Sequence, residues 1–516
     1  MISMALALVL AGGAEPPPPP LLTVEDRTEP VGVGDATPEL AWRQSEGRAI
    51  QRAYQVQVAT RTDGFAAPDL WDSGRVESAQ SAFVPYAGAP LRSRQTAFWR
   101  VRTWTDAGRE PGPWTAPARF EMGLLETADW SGARWMWNGA AADREAHVHF
   151  RARLPPSPKR VARARGYLTA SHRYELSIDG APVGQGPAFA YPDYQLYQTL
   201  DLTPWFTGAL EHVIALTARW YGAGQGRPAA RGGVLLKIVV DYEDGTSATL
   251  ASGPAWKTRP AEWRVPDAPV GAANFRNGEG IPVETLDARE TPVGWMTRGF
   301  DDSAWAPAVD LGPHPTAPWT GPLLAQETAI VEVATAPVSV RTLSPGRVVA
   351  DFGEVIAGRP RVVFAQGVPG TAVSVKTDYR PLSDGSLAAF AQSTKMDYGY
   401  VQRGGRETFE PYGYLGFRYV QVDVPEGATA PEKIGAILRF NGFDRERLAH
   451  FESTDETLNA VWELATHSTR FGSQEHFVDT PTREQGQFTY DAYQISRAAM
   501  RTQGDRDLTQ RALREF

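Results

Sequence analysis

Three carboxylates fall within thirteen residues in Asp479-Thr-Pro-Thr-Arg483-Glu484-Gln-Gly-Gln-Phe488-Thr-Tyr-Asp491, with an arginine beside the middle one. Side chains of this kind can do acid–base chemistry on an acetal. One carboxylic acid protonates the leaving oxygen, and a second carboxylate activates water or attacks the carbon. Pro481 and Gly486 break any regular element, so Asp479 and Glu484 are expected on a loop. Asp491 stands where a helical pattern begins, with Ala492, Ile495, Ser496 and Ala499 on one face. The first turn of a helix favours a negative charge, so Asp491 can stay ionised there. Spacing alone also fits solvated or capping groups. It does not choose between Glu484 and Asp479 as proton donor. Arg483 would lower the pKa of a neighbouring carboxyl, whereas a general acid needs its pKa raised.

The chain that must position these groups has 516 residues, too many for one core, and three to five domains are expected. Its 49 Gly, 41 Pro, 16 Trp and 17 Tyr point to turn-rich β-structure. A net charge of −8 with no basic face argues against a nucleic-acid partner. No cysteine is present, which removes disulfides, thiolate metal sites and a Cys nucleophile. The eight His have no metal-ligand spacing, no Gly-x-Ser-x-Gly elbow occurs, and no cofactor is implied. The Gly222-Ala-Gly-Gln-Gly226 run lacks the rest of a dinucleotide fingerprint and reads as a loop. The first fourteen residues form a short apolar run ending in small residues, resembling a secretory signal without its basic start. Export to the periplasm or beyond is therefore expected, with a retained segment and a cytoplasmic location as the alternative, and Pro16 to Pro20 as a stiff spacer closing segment 1–20. No stretch is long and apolar enough for a membrane-spanning helix.

Residues 22–122 read as a β-sandwich of the fibronectin III type. Tyr54, Val56 and Val58 share one side of a strand by period two, and Phe98 to Trp104 form another. Trp42, Trp71, Trp99, Trp104 and Trp114 are expected to fill mainly its core. Residues 128–311 form a second all-β unit, with an Asp179-Gly180 hairpin and a closing Gly299-Phe-Asp-Asp-Ser-Ala-Trp305. That ending resembles jelly-roll domains of the galactose-binding type, which is compatible with a carbohydrate contact as well as a purely structural role. Residues 327–446 read as a third sandwich, carrying Asp351-Phe-Gly-Glu354 and Tyr414-Leu-Gly-Phe-Arg418. Asp351, Glu354 and Arg418 are expected to be structural, on loops able to approach the helical part. The last segment starts at 449, and the period changes to 3.6 at about Phe451. Ser453-Thr-Asp-Glu456 fits a capping box, and Leu458, Val461, Trp462 and Ala465 fall on one face, with Trp462 expected in a core. Further helices are expected over 489–502 and from Asp505, separated by Gly504.

These motifs, in this order, resemble the bacterial α-L-rhamnosidases, glycoside hydrolase family 78. The phrases Leu70-Trp71-Asp72-Ser73-Gly74, the Asp-Gly hairpin with its Asp-Asp-x-x-Trp ending, Asp351-Phe-Gly and the Asp-x-Pro-x-Arg-Glu run each have a counterpart there. The resemblance implies a multidomain, mostly β protein: three β-sandwich or jelly-roll domains, then the first helices of an (α/α)6 barrel over 449–516. It implies an inverting acid–base hydrolysis of terminal α-L-rhamnose from glycosides or polysaccharides. Glu484 would be the acid, with Asp479, Arg483, Asp491 and the aromatic Phe488 holding the sugar. Phe488 and Tyr490 stand where the family often has Trp and Gly. The family's general base is a Glu far along the barrel, which places it beyond residue 516. The chain is therefore also compatible with a catalytically incomplete carbohydrate-binding or scaffold fragment.

Overall fold

The computed structural model describes residues 21–516 apart from 44–49, 107–108, 140–145, 188–190, 209, 221–229, 265–283, 393 and 443–447. The signal-like start, the proline run and the Gly222–Gly226 loop lie outside the described residues. The chain divides into two compact units, residues 1–125 and 126–516.

Alternating apolar residues build the first unit as two layers, a three-stranded antiparallel sheet and a five-stranded sheet that is antiparallel except where Val31–Val33 pairs in parallel with Ala118–Met122. Its central pair, Gln51–Ala59 against Thr96–Thr105, turns Val56, Val58, Trp99 and Val101 into the core. Not all five tryptophans follow them. Trp114, and the buried Trp104 with it, belong to a ladder in which cations alternate with rings. Arg102 lies 5.3 Å from the Trp104 ring and 4.7 Å from Trp114, and Arg100 lies 4.4 Å from Trp114 and 4.5 Å from Phe65. Gln57 and Gln55 accept from the two guanidiniums and donate in turn to Asp72.

The second unit begins as a jelly roll of a six-stranded and a seven-stranded sheet. Ala146–Leu154 pairs along its whole length with His212–Trp220. The Asp179-Gly180 turn has φ of +52° and +84°, both positive as a two-residue hairpin requires. In the closing motif, Asp302 engages the buried Arg151, and Trp305 packs against Trp295 and Ala215. Those side chains hold the domain's end in place and are not displayed on its surface.

A third, ten-stranded sheet follows. Its organising strand is Arg347–Gly367, 21 residues long, which pairs first with Leu415–Asp423 and later with Lys433–Asn441. Two short segments that sequence places in the preceding unit, Trp263–Arg264 and Thr285–Asp287, join this sheet, the latter parallel to Asp397–Val401. The sheets are thereby stitched across a common seam.

Three helices come last: α1 (Glu456–Gly472), α2 (Thr489–Thr502) and α3 (Asp507–Arg514). The capping box at Ser453 does not form. Asp455 caps α1 instead, its carboxylate accepting from Thr457 N (2.8 Å) and Leu458 N (3.3 Å). The apolar face expected on α1 is also not its core face. Leu458, Val461 and Leu464 are exposed, Trp462 only tilts against Phe451, and the buried residues are Thr469 and Phe471. On α2 the expected stripe does turn inward through Ala492 and Ala499, with Ile495 partly buried. No described helix is long and apolar enough to cross a membrane.

Candidate functional site

The acidic stretch is the loop joining α1 to α2, and its shape is over-determined by hydrogen bonds. Asp479 N donates to Gly486 O (3.0 Å), and Gly486 N returns a bond to Asp479 Oδ1 (3.1 Å). To close that ring Gln485 takes φ +50°, an uncommon conformation for a residue with a side chain. Three bonds hold it there. Its amide donates to Tyr414 O (3.0 Å) and Pro481 O (2.8 Å), and its carbonyl accepts from His476 Nε2 (3.0 Å). Thr482 is fully buried and exchanges two 3.2 Å bonds with the backbone of Gly416 while touching the Tyr379 hydroxyl.

Gly416 is needed because the loop lies directly on it. A Cβ at this position would sit 2.8 Å from Pro481 Cγ and Thr482 Oγ1 and 3.0 Å from the Tyr379 oxygen. Gly416→Ala is expected to destabilise the second unit by about 1–3 kcal/mol through overpacking. Chemical denaturation measures this, and an unchanged midpoint would show that the loop yields freely.

A cleft of about 890 Å³ opens between this loop, α1, α2 and a bulge of the third sheet. Asp479, Pro481 and Asp491 line one side, Glu354 and Val355 another, and Glu463, His467 and Gln494 face it from the helices. Phe471, Val478, Ile495 and Ala498 supply apolar surface. Burial pushes the Asp479 carboxyl above its usual range. The Thr480 and Gly486 amides oppose that shift, and nearby Asp491 adds to it.

Asp479 and Asp491 therefore meet in one cleft, with Asp491 in the first turn of α2 as its position suggests. Glu484, Arg483 and Phe488 do not line it. Glu484 is only 6% exposed; one carboxylate oxygen engages Arg483, and the other has no partner among the described residues. Phe488 precedes α2 and its ring packs over Gly486. Sequence reasoning passed over His476, Gln485, Thr482 and Tyr379, the residues that fix the loop. No spacing singles them out, because each acts on a neighbour brought in by the fold. No group of acidic or imidazole side chains suited to a metal ion occurs among the described residues.

Behind the loop runs a chain of buried charge. Arg439 donates to Gln474 Oε1 and Glu475 Oε2, both at 2.9 Å, and its guanidinium lies 4.7 Å from the Tyr414 ring. Burial alone would raise Glu475, but Arg439 draws it down to about 2. Arg511 of α3 grips the Glu475 carbonyl. On the other side Glu332 joins Arg359 (2.6 Å) and Arg173 (3.3 Å), the latter on the jelly roll. The same seam holds Glu284 against Arg219 and 3.4 Å from His147, with both oxygens occupied: Tyr412 N and Gly413 N donate to Oε2 at 2.6 and 2.8 Å.

Three family models account for the β-domains in order. The Rha78A-like N-terminal immunoglobulin domain matches residues 20–126, the alpha-L-rhamnosidase N-terminal domain 159–340, and the bacterial alpha-L-rhamnosidase concanavalin-like domain 341–439. The chain carries the N-terminal and concanavalin-like domains of alpha-L-rhamnosidases. Among curated relatives, an alpha-L-rhamnosidase of Streptomyces avermitilis is 26% identical, over 90% of this chain and 61% of its own. One from Formosa agariphila is also 26% identical, over 92% of this chain and 53% of its own. Solved structures agree in fold. The alpha-L-rhamnosidase of Dictyoglumus thermophilum superposes with a TM-score of 0.77 at 23% identity, over 90% of this chain and 53% of that one. The Streptomyces avermitilis enzyme complexed with L-rhamnose gives 0.66 at 21% identity, over 90% of this chain and 61% of that one. The chain thus spans between about half and three fifths of the length of these rhamnosidases.

Proposed function

We propose that the cleft at Asp479 and Asp491 holds a terminal α-L-rhamnosyl group and that the chain serves an α-L-rhamnosidase. The observation that carries this is the composition of the cleft. Two carboxylates able to accept from sugar hydroxyls face apolar surface from Phe471, Val478, Ile495 and Ala498. A 6-deoxy sugar has the same two characters: hydroxyls to be bonded and a methyl group with ring C–H edges to be covered. The Streptomyces avermitilis relative bound to L-rhamnose supports the choice of sugar. Within the inverting acid–base scheme of the family, Glu484 is our candidate donor, with Arg483 and Phe488 as further sugar contacts; none of the three lines the cleft, so each must turn toward it to touch the sugar. The natural partners are then rhamnose-bearing glycosides.

Saturation-transfer NMR with L-rhamnose tests the binding, and release of p-nitrophenol from its α-L-rhamnoside tests the turnover. The wild type is expected to transfer saturation to rhamnose, and Asp479→Asn to abolish that signal. A wild-type spectrum without transfer would sink the reading. Binding without turnover is the second reading, favoured by one observation: Glu484 is buried on Arg483 and does not line the cleft. Bound rhamnose with no p-nitrophenol release would select it.

Asp479 also carries a stability prediction. Its folded pKa lies above the ordinary value, so its contribution is favourable at low pH and is lost as pH rises through the folded value. Asp479→Asn keeps the acceptor for Gly486 N and removes the buried charge. It is expected to gain stability at pH 7, a gain that disappears at acid pH, where the carboxyl is protonated in both folded and unfolded chains. Urea unfolding at the two pH values checks it.

A further inference from the structure

The Asp351-Phe-Gly-Glu354 motif is architectural in most of its bonds, yet Glu354 reaches the cleft. Pairing between the Arg347–Gly367 and Leu415–Asp423 strands is interrupted between Asp351 and Ile356. Bulges of this kind re-aim side chains. Here every part of the bulge is held. Arg418 grips Asp351 through two bonds of 2.8 and 3.0 Å, and Asp351 Oδ1 accepts from Gly353 N at 2.7 Å. Gly353 has φ +82°, which a side chain would resist. Phe352 goes into the core against Phe417. Glu354 and Val355 are left projecting toward α1, where His467 meets both. Its Nε2 donates to Val355 O (2.6 Å), and its Nδ1 lies 3.4 Å from Glu354 Oε2.

Glu354 and His467 line the same cleft as Asp479 and Asp491. A cleft of about 890 Å³ is at the large end of small-ligand sites and exceeds what one deoxyhexose fills. From this geometry, and resting on the rhamnosyl reading, we infer that the Glu354–His467 pair recognises the group next to the terminal sugar. That group is a neutral, hydroxyl-bearing sugar. The exposed Glu354 carboxylate can accept from vicinal hydroxyls, while His467, anchored on Val355 O, orients it. Four carboxylates (Glu354, Glu463, Asp479 and Asp491) face the cleft against the single His467, so a uronate in that position would be repelled.

Isothermal titration compares L-rhamnose, a rhamnosyl-glucose disaccharide and its rhamnosyl-glucuronate counterpart on the full chain. The neutral disaccharide is expected to bind at least about tenfold tighter than rhamnose, and the uronate weaker than the neutral form. Glu354→Gln and His467→Ala should each lower the disaccharide-to-rhamnose affinity ratio by roughly tenfold, and Glu354→Gln should narrow the discrimination against the uronate. Glu354 is exposed, so its variant separates recognition from folding. A ratio near one in the wild type, or one unmoved by both variants, overturns the inference while leaving the rhamnosyl reading intact. Absence of any rhamnose binding overturns both.

Discussion

Arg439→Met is expected to cost the second unit about 3–5 kcal/mol and to loosen the acidic loop with it. The guanidinium is almost fully buried and carries Gln474 and Glu475 on its fork while its face lies over Tyr414. Removing it leaves Glu475 with a charge that Arg439 holds in place, four residues before Asp479. Breaking one partner of a buried pair is far more damaging than removing both, because the survivor keeps its desolvation penalty. The double variant Arg439→Met/Glu475→Leu should therefore recover much of the loss. Guanidinium unfolding followed by tryptophan emission measures the stabilities. Rhamnose binding at the cleft reports on the loop. A single variant within about 1 kcal/mol of wild type would mean that water reaches the pair and screens it.

What the sequence makes legible here is local. The Asp179-Gly180 hairpin can be read because only residues tolerant of positive φ close a two-residue turn. The bounds expected for α2 match because Gly486 and Gly504 punctuate it on either side and its buried stripe faces Phe477 and α3. On α1 the same periodicity misleads. Leu458 and Val461 form an apolar stripe, but the third sheet meets α1 at its C-terminal end, through Phe471 against Phe440. Period locates a helix and its faces; the partner decides which face is buried. The site divides in the same way. Asp479 and Asp491 are recognisable as loop and first-turn carboxylates. Glu354 looks structural because the bulge that turns it toward α1 depends on Arg418, 64 residues further on (418 − 354). Nothing in the spacing of Arg173, Glu332, Arg359 and Arg439 along the sequence links them. Only the seam between sheets, a long-range product of strand pairing, makes them one buried network.

Glu284→Gln is expected to destabilise the seam by a similar amount, about 3–5 kcal/mol, with a distinctive pH signature. Gln preserves an acceptor for Tyr412 N and Gly413 N, so the loss isolates the charge facing the buried Arg219. Burial pushes His147 down to about 4. Burial would raise Glu284, but Arg219 and His147 bring it down to about 2. Both folded values lie below the ordinary ones, so both contributions are complete above the unfolded pKa and are lost as pH falls. The His147 contribution goes first, between pH 6.5 and about 4, because only the unfolded chain takes up that proton. Glu284 follows between pH 4.5 and about 2. The first leg is worth on the order of 3 kcal/mol at one pKa unit per ~1.4 kcal/mol. His147→Gln should flatten the stability profile between pH 6.5 and 4 and leave the lower leg. Glu284→Gln should remove the lower leg and start from a lower plateau at pH 7. Urea midpoints taken at half-unit pH steps distinguish the two variants. Parallel profiles for wild type and both variants would show that neither group titrates differently in the folded state. The buried seam would then contribute shape alone to the positioning of the third sheet behind the acidic loop.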